Sequence, residues 1–297
     1  MQVKMNYKLG MTSALACAFI WGVLPLYWKA LIPISSGVII FYRILLVSIV
    51  CFLSSLKKYG AKATFEPARD KRCALKLILA GVIITLNWST YIWAVNAGHI
   101  IQTSIGYYME PLIVSLFGII LFKEEFTKYR KISFALAAVA VGILIVHFGR
   151  IPAVSIILAV SFACYAALKK SLGTPPMISL FWETVFLAPF ALGVIVWLEC
   201  TGKGALAVSQ PYQYFLLLLA GVATAIPLGL FAVAANNLPL ITLGLTEYIS
   251  PSISLLLGIF MFKEPFDIYQ FATFFIIWIG LAVFTVGEIK LVKAEEE

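Results

Sequence analysis

One stretch of this chain, residues 86–126, occurs twice. Sliding the sequence by 140 positions lays residues 80–146 over 220–286 without a gap, and 19 of the 67 positions are identical. The identities include Asn96/Asn236, Tyr108/Tyr248, Pro111/Pro251, Gly118/Gly258, Phe122/Phe262, Lys123/Lys263, Glu124/Glu264 and Phe126/Phe266. The same shift sets Phe41-Tyr42-Arg43 on Phe181-Trp182-Glu183, and a shift of 143 sets Leu15-Ala16 and Phe19 on Leu158-Ala159 and Phe162. An ungapped match of this length means that a unit of about half the chain was duplicated, so the repeat constrains every other reading.

The solvent comes next. The chain has 297 residues, 62% of them hydrophobic and 12% charged, with mean hydropathy +0.99. A soluble domain carries about 25% charged residues. The apolar runs are long enough to cross a hydrocarbon core of about 30 Å. They predict ten spans, at 11–30, 37–56, 77–97, 103–122, 132–148, 152–168, 177–198, 214–235, 240–261 and 268–289. Lys4 and Lys8 before the first run resemble the start of a signal peptide, but the run continues to Trp28 with no good cleavage site and reads as a span. The longest connection, 57–76, reads as a small amphipathic or irregular cytoplasmic loop. The five cysteines are scattered singly, as small hydrophobes are.

Charge sets orientation. With the N-terminus inside, 17 of the 22 Lys and Arg residues fall on the cytoplasmic side, four fall outside and Arg43 lies within a span. That asymmetry, not nucleic-acid binding, accounts for a net charge of +8. Five spans per half is an odd number, so the second copy must be inverted. The charges agree: Lys128, Arg130 and Lys131 become Ile268, Gln270 and Phe271 in the copy. The expected architecture is an all-α integral membrane protein of ten transmembrane helices in two inverted five-helix repeats, 1–148 and 149–297, with both termini cytoplasmic. Secondary transporters commonly have this plan, with the substrate site near the midplane between halves.

The sequence resembles the RarD-type permeases, in the EamA branch of the drug/metabolite transporter superfamily. The resemblance covers essentially the whole chain. It rests on FIWGVLPLYWK (19–29), LNWSTYIWAVNAGH (86–99), SIGYYMEPL (104–112), SFACYAALKK (161–170) and TEYISPS (246–252). It implies a ten-helix permease of two five-helix repeats in the membrane of a bacterial cell. Where the family often has Asn before the proline of the fourth span, this chain has Glu110.

The chain has no Walker A loop, no H-E-x-x-H, no G-x-S-x-G and no Cys/His cluster, which argues against direct ATP coupling, hydrolase chemistry, a metal site or an enzyme. Four ionisable residues sit inside spans and away from their ends: Arg43, Glu110, Glu183 and Glu247. Charges there are costly and usually face a cavity or each other. Counting residues from the span ends puts Arg43 and Glu110 at one depth in the outer half, as an expected ion pair. It puts Glu183 and Glu247 in the inner half without a basic partner, as candidates for proton coupling. Pro111 and Pro251 suggest two discontinuous helices at matched depth, the alternative being kinks that shape packing. Gly118 and Gly258 suit close helix packing. His99 and His147 read as capped or interfacial residues. The candidate substrate-binding set is Trp21, Arg43, Asn87, Tyr91, Asn96, Tyr107, Glu110, Glu183, Asn236, Glu247 and Tyr248. For each aromatic residue, packing is the competing role.

The function these features predict is a secondary transporter moving a small organic metabolite or drug by alternating access, with a proton as candidate coupling ion and no cofactor. The competing reading is a non-transporting receptor or scaffold subunit in which the polar residues only lock helices together. Monomer and homodimer remain open.

Overall fold

The computed structural model describes residues 6–96, 100–149, 153–263 and 268–296. His99 and Glu264, and the side chain of Asn96, lie outside what is described. The described residues form helices and no strands. Ten segments are long and apolar enough to cross a membrane.

The first half holds α1 (Tyr7–Ala30), α2 (Ser36–Phe65), α3 (Lys71–Asn96), α4 (Ile100–Phe122) and α5 (Lys128–Phe148). Asn6, Ser35 and Thr127 cap α1, α2 and α5 by accepting a backbone N–H with their side chains. Gly149, at φ 75°, closes α5. Of the two forms expected for the connection 57–76, amphipathic or irregular, the irregular one does not hold: α2 runs on to Phe65, and a 3₁₀ turn follows at Glu66–Arg69. The chain changes direction at Gly60, φ 77°, a conformation that glycine takes without steric cost.

The second half holds α6 (Ala153–Leu172), α7 (Pro176–Thr184), α8 (Ala188–Cys200), the single turn α9 (Ala205–Val208), α10 (Pro211–Asn237), α11 (Leu240–Glu247), α12 (Ile249–Leu257) with a π turn at Gly258–Phe262, and α13 (Ile268–Glu296). The seventh span, expected unbroken over 177–198, is thus split into α7 and α8 by a turn at 185–187. The two prolines differ as well. α4 passes through Pro111 without a break, whereas the ninth span divides at Tyr248, so the expected pair of discontinuous helices is a single one.

Packing follows the repeat. α1 packs on α10 and α12, and α6 packs on α3 and α4. α2 meets α7 and α8, α4 meets α11, and α5 meets α13. Gly81 and Gly221, 140 positions apart, serve the same purpose. A Cβ on Gly81 would press on the backbone of Glu183, and one on Gly221 would lie 2.7 Å from the backbone of Leu46. Small residues let membrane helices approach this closely. Lys123 and Lys263, also counterparts, are the non-glycine residues with positive φ among those described, at 52° and 56°.

The core is aromatic at its centre. Trp21, Phe162, Tyr165 and Phe231 pack ring against ring with centroids 5.2–6.0 Å apart. Large apolar side chains such as Leu53, Trp197, Phe215 and Phe260 cover the outside. A surface of that kind suits lipid and not water.

Candidate functional site

Arg43 projects from α2 into the seam between the halves. Its guanidinium carbon lies 4.7 Å from the ring centroid of Trp28 and 4.6 Å from that of Trp88. Its Nε donates to Thr224 Oγ1 of α10 at 3.1 Å. Two aromatic faces offer a desolvated cation about 2 kcal/mol or more each. Among the described residues no carboxylate stands within 4.0 Å of it. The expected Arg43–Glu110 ion pair is therefore corrected: residue counts along the spans matched depth but not azimuth, and the side chains face different neighbours.

Around Arg43 stand Tyr27, Tyr91 and Tyr107, close enough to share its electrostatic field. Tyr91 and Tyr107 leave 37% and 40% of their surface exposed although protein surrounds both rings. We read this partly exposed surface beside Arg43 as the wall of a candidate cavity. Their rings lie 5.6 Å apart, and neither hydroxyl bonds to another described residue. Tyr27, by contrast, donates to the carbonyl of Leu216.

Glu110 and Glu247 stand on α4 and α11, two helices that pack together. Both are buried, at 8% and 4% exposure, and the charge of Glu247 reaches Glu110. Among the described residues Glu247 Oε1 has no hydrogen-bond partner. Cys17 of α1 lies within the field of Glu247 and donates to the carbonyl of Pro227. Gly244 seats α11 on α4, where a Cβ would stand 2.7 Å from the carbonyl of Pro111. Tyr248, fully buried, donates to the carbonyl of Tyr108 at 2.9 Å.

Glu183 belongs to a different group. Lys169 Nζ reaches its Oε1 at 2.6 Å, Ser179 donates to the same oxygen at 2.5 Å, and Tyr165 donates to Oε2 at 3.0 Å. Lys169 and Glu183 are each about 98% removed from solvent. The expectation of an unpartnered Glu183 beside Glu247 is thus corrected. Lys169, assigned from sequence to a cytoplasmic loop, reaches back from the last turn of α6 along its aliphatic stem.

The remaining candidates are structural in their contacts. Asn87 Nδ2 ties α3 to α6 through the carbonyl of Leu158 at 2.8 Å and Ser161 Oγ at 2.9 Å. Trp21 packs in the core and not on the cavity. Asn236 Oδ1 is buried without a hydrogen-bond partner among the described residues.

Sequence reasoning missed several residues. Trp28, Trp88 and Thr224 hold Arg43, and only the scarcity of cations inside spans hinted that a holder was needed. Glu124 accepts from Leu240 N and Ile241 N at 2.7 and 2.9 Å and meets Lys170 at 3.2 Å, so it caps α11 from the other half. Glu288, inside the tenth span, pairs with Arg130 at 2.9 Å and accepts from Tyr7. A recess of about 610 Å³ between α5 and α13, lined by Val139, Gly142, Ile143, Val146, His147 and Tyr269, is open and lies away from these groups.

Three comparisons place the chain among known proteins. Residues 8–146 match the EamA-like transporter family. The chain is 37% identical to the uncharacterized transporter YojE of Bacillus subtilis over 97% of both chains. It is 33% identical to the protein RarD of Streptomyces exfoliatus, over 96% of this chain and 90% of that one. The RarD protein of Escherichia coli is 30% identical over 95% of each. A solved crystal structure superposes with a TM-score of 0.72 over 95% of this chain and 98% of that chain, at 14% identity, which speaks for the fold alone.

Proposed function

The chain belongs to the EamA-like transporter family, on its RarD branch, and on that premise we propose that it is a secondary permease carrying a small organic solute by alternating access between two inverted halves, 1–148 and 149–297. The chain is a multi-pass bacterial membrane protein, and the proposed site of action is the inner membrane.

One observation carries the reading. An intramembrane cation, Arg43, stands with no carboxylate within 4.0 Å among the described residues, its Nε on Thr224 and the partly exposed rings of Tyr91 and Tyr107 around it. Polar groups that only lock helices are satisfied by one another, as Lys169 and Glu183 are. An accessible charge at the junction of α2 and α10 is suited instead to a ligand that comes and goes.

Support for inverted halves comes from paired features 140 positions apart: the glycine approaches at Gly81 and Gly221, the positive φ angles of Lys123 and Lys263, and the Tyr108–Tyr248 contact. The proposed coupling ion is a proton shared by Glu110 and Glu247, with Cys17, Tyr107, Tyr108 and Tyr248 as the neighbouring titratable groups. Two buried carboxylates close enough to feel each other's charge cannot both stay ionised at little cost, so one bound proton is the natural companion of the pair. Glu183, already held by Lys169, leaves the coupling role.

The test is flux into proteoliposomes of the purified chain, across a metabolite panel chosen by comparing deletion and overexpression strains. Saturable, gradient-driven uptake of one solute class is the expected result. Folded protein that moves none of the panel would overturn the permease.

A further inference from the structure

Arg43 has five N–H groups, and among the described residues only the one on Nε meets an acceptor. Trp28 and Trp88 lie against the guanidinium, and among the described residues its two terminal nitrogens meet no acceptor. Those nitrogens form the fork that a carboxylate meets with two parallel hydrogen bonds. A half-buried guanidinium lacking a counter-ion is costly, and that cost is relieved when a ligand brings the missing negative charge.

We propose that Arg43 is the anion-binding group of the cavity and that the solute is a carboxylate attached to a flat apolar body. This rests on the permease reading above and names its substrate class.

The charge of the solute follows from its surroundings. Arg43 is one positive charge, and Tyr107 lies in the fields of both Arg43 and Glu110. A phosphate dianion would bring two charges to one cation with a carboxyl group nearby. A monoanion is balanced by Arg43 alone. The body of the solute follows from the wall: Tyr91 and Tyr107 offer rings for an apolar plane and free hydroxyls for a second carboxylate contact. An organic cation would have to sit against the guanidinium, and the cavity discriminates against it on that account.

The experiment uses the full chain, purified and folded in detergent, and three probes of one shape: benzoate, benzamide and benzylamine. Tryptophan fluorescence reports occupancy, because Trp28 and Trp88 flank the proposed contact. Benzoate is expected to quench saturably, and benzamide and benzylamine to bind roughly ten-fold more weakly or worse, since a charge-assisted fork is lost. Arg43→Gln should weaken benzoate by a similar factor and leave benzamide unchanged, while Arg43→Lys, which keeps the charge without the fork, should fall between. Equal binding of the three probes, benzoate affinity unchanged in Arg43→Gln, or no saturable benzoate response in folded wild-type protein would each overturn the assignment. The wild-type probe series stands even where a variant fails to fold. Because binding is read without transport, benzoate binding with no flux in liposomes would sink the permease and leave the anion site in place.

Discussion

The hydroxyl of Tyr248 donates to the backbone carbonyl of Tyr108 at 2.9 Å, and the two tyrosines are counterparts in the repeat, 140 residues apart. A residue can touch its own counterpart only where the two copies meet. This contact therefore marks the junction of the halves, and Glu110 and Glu247 flank it, two residues after one tyrosine and one before the other. The carboxyl pair is central to the molecule because duplication put its helices there.

The Lys169–Glu183 pair predicts an asymmetric double-mutant cycle. Lys169→Met alone leaves a buried carboxylate with Ser179 and Tyr165 as its remaining donors, and should destabilise by about 3–5 kcal/mol. Adding Glu183→Leu should recover much of that loss. Unfolding of each variant in detergent checks it, and single effects that simply add would show that the pair does not interact.

Arg43 and Glu110 predict the reverse. They form no ion pair, so the stability effects of Arg43→Gln and Glu110→Gln should add to within about 0.5 kcal/mol. A coupling of several kcal/mol would restore the pair that the sequence suggested.

Proton coupling separates the carboxylates. Glu247→Gln keeps size and removes titration. It should abolish accumulation driven by a pH gradient while exchange of the same solute, identified in the liposome panel, continues. Gradient-driven uptake that survives in Glu110→Gln, Glu247→Gln and the double variant would remove the pair from the coupling role.

Topology is decided by labelling. In a variant stripped of the five native cysteines, Lys128→Cys and Ile268→Cys should react with an impermeant thiol reagent from opposite sides of the membrane. Modification of both from one side would end the inverted arrangement.

The close approaches predict a pair of sensitive glycines. A single methyl at Gly81 meets the Glu183 carbonyl, and one at Gly221 meets the backbone of Leu46. Neither obstacle is the free end of a side chain, so Gly81→Ala and Gly221→Ala should each lower stability by about 1–3 kcal/mol. Gly142, which meets nothing within 4 Å, is the control and should tolerate alanine. Thermal denaturation in detergent compares the three.

Much of the fold was legible because two signals act over long stretches. Ten apolar runs reflect the thickness of lipid, and an offset of 140 reflects duplication. The site was legible in its residue types and not in its pairings. Depth is readable at 1.5 Å per residue, but which way a side chain turns around its helix depends on neighbours that sequence does not name. Arg43 and Glu110 matched in depth and faced apart. Lys169, near a span end, was counted with the aqueous bases, yet its long stem carries the charge back to Glu183. Thr224, an ordinary small residue in an apolar run, became visible as a partner only when α10 lay beside α2.

The duplicated halves differ in how they can bend. α2 crosses in one piece, but its counterpart is parted at 185–187 into α7 and α8. α4 is likewise whole, while its counterpart is parted at Tyr248 and ends in a wider π turn. A continuous helix resists flexing along its whole length; a jointed one yields at the joint. The second copy thus carries two joints that the first lacks, so two halves of one ancestry are no longer equally stiff.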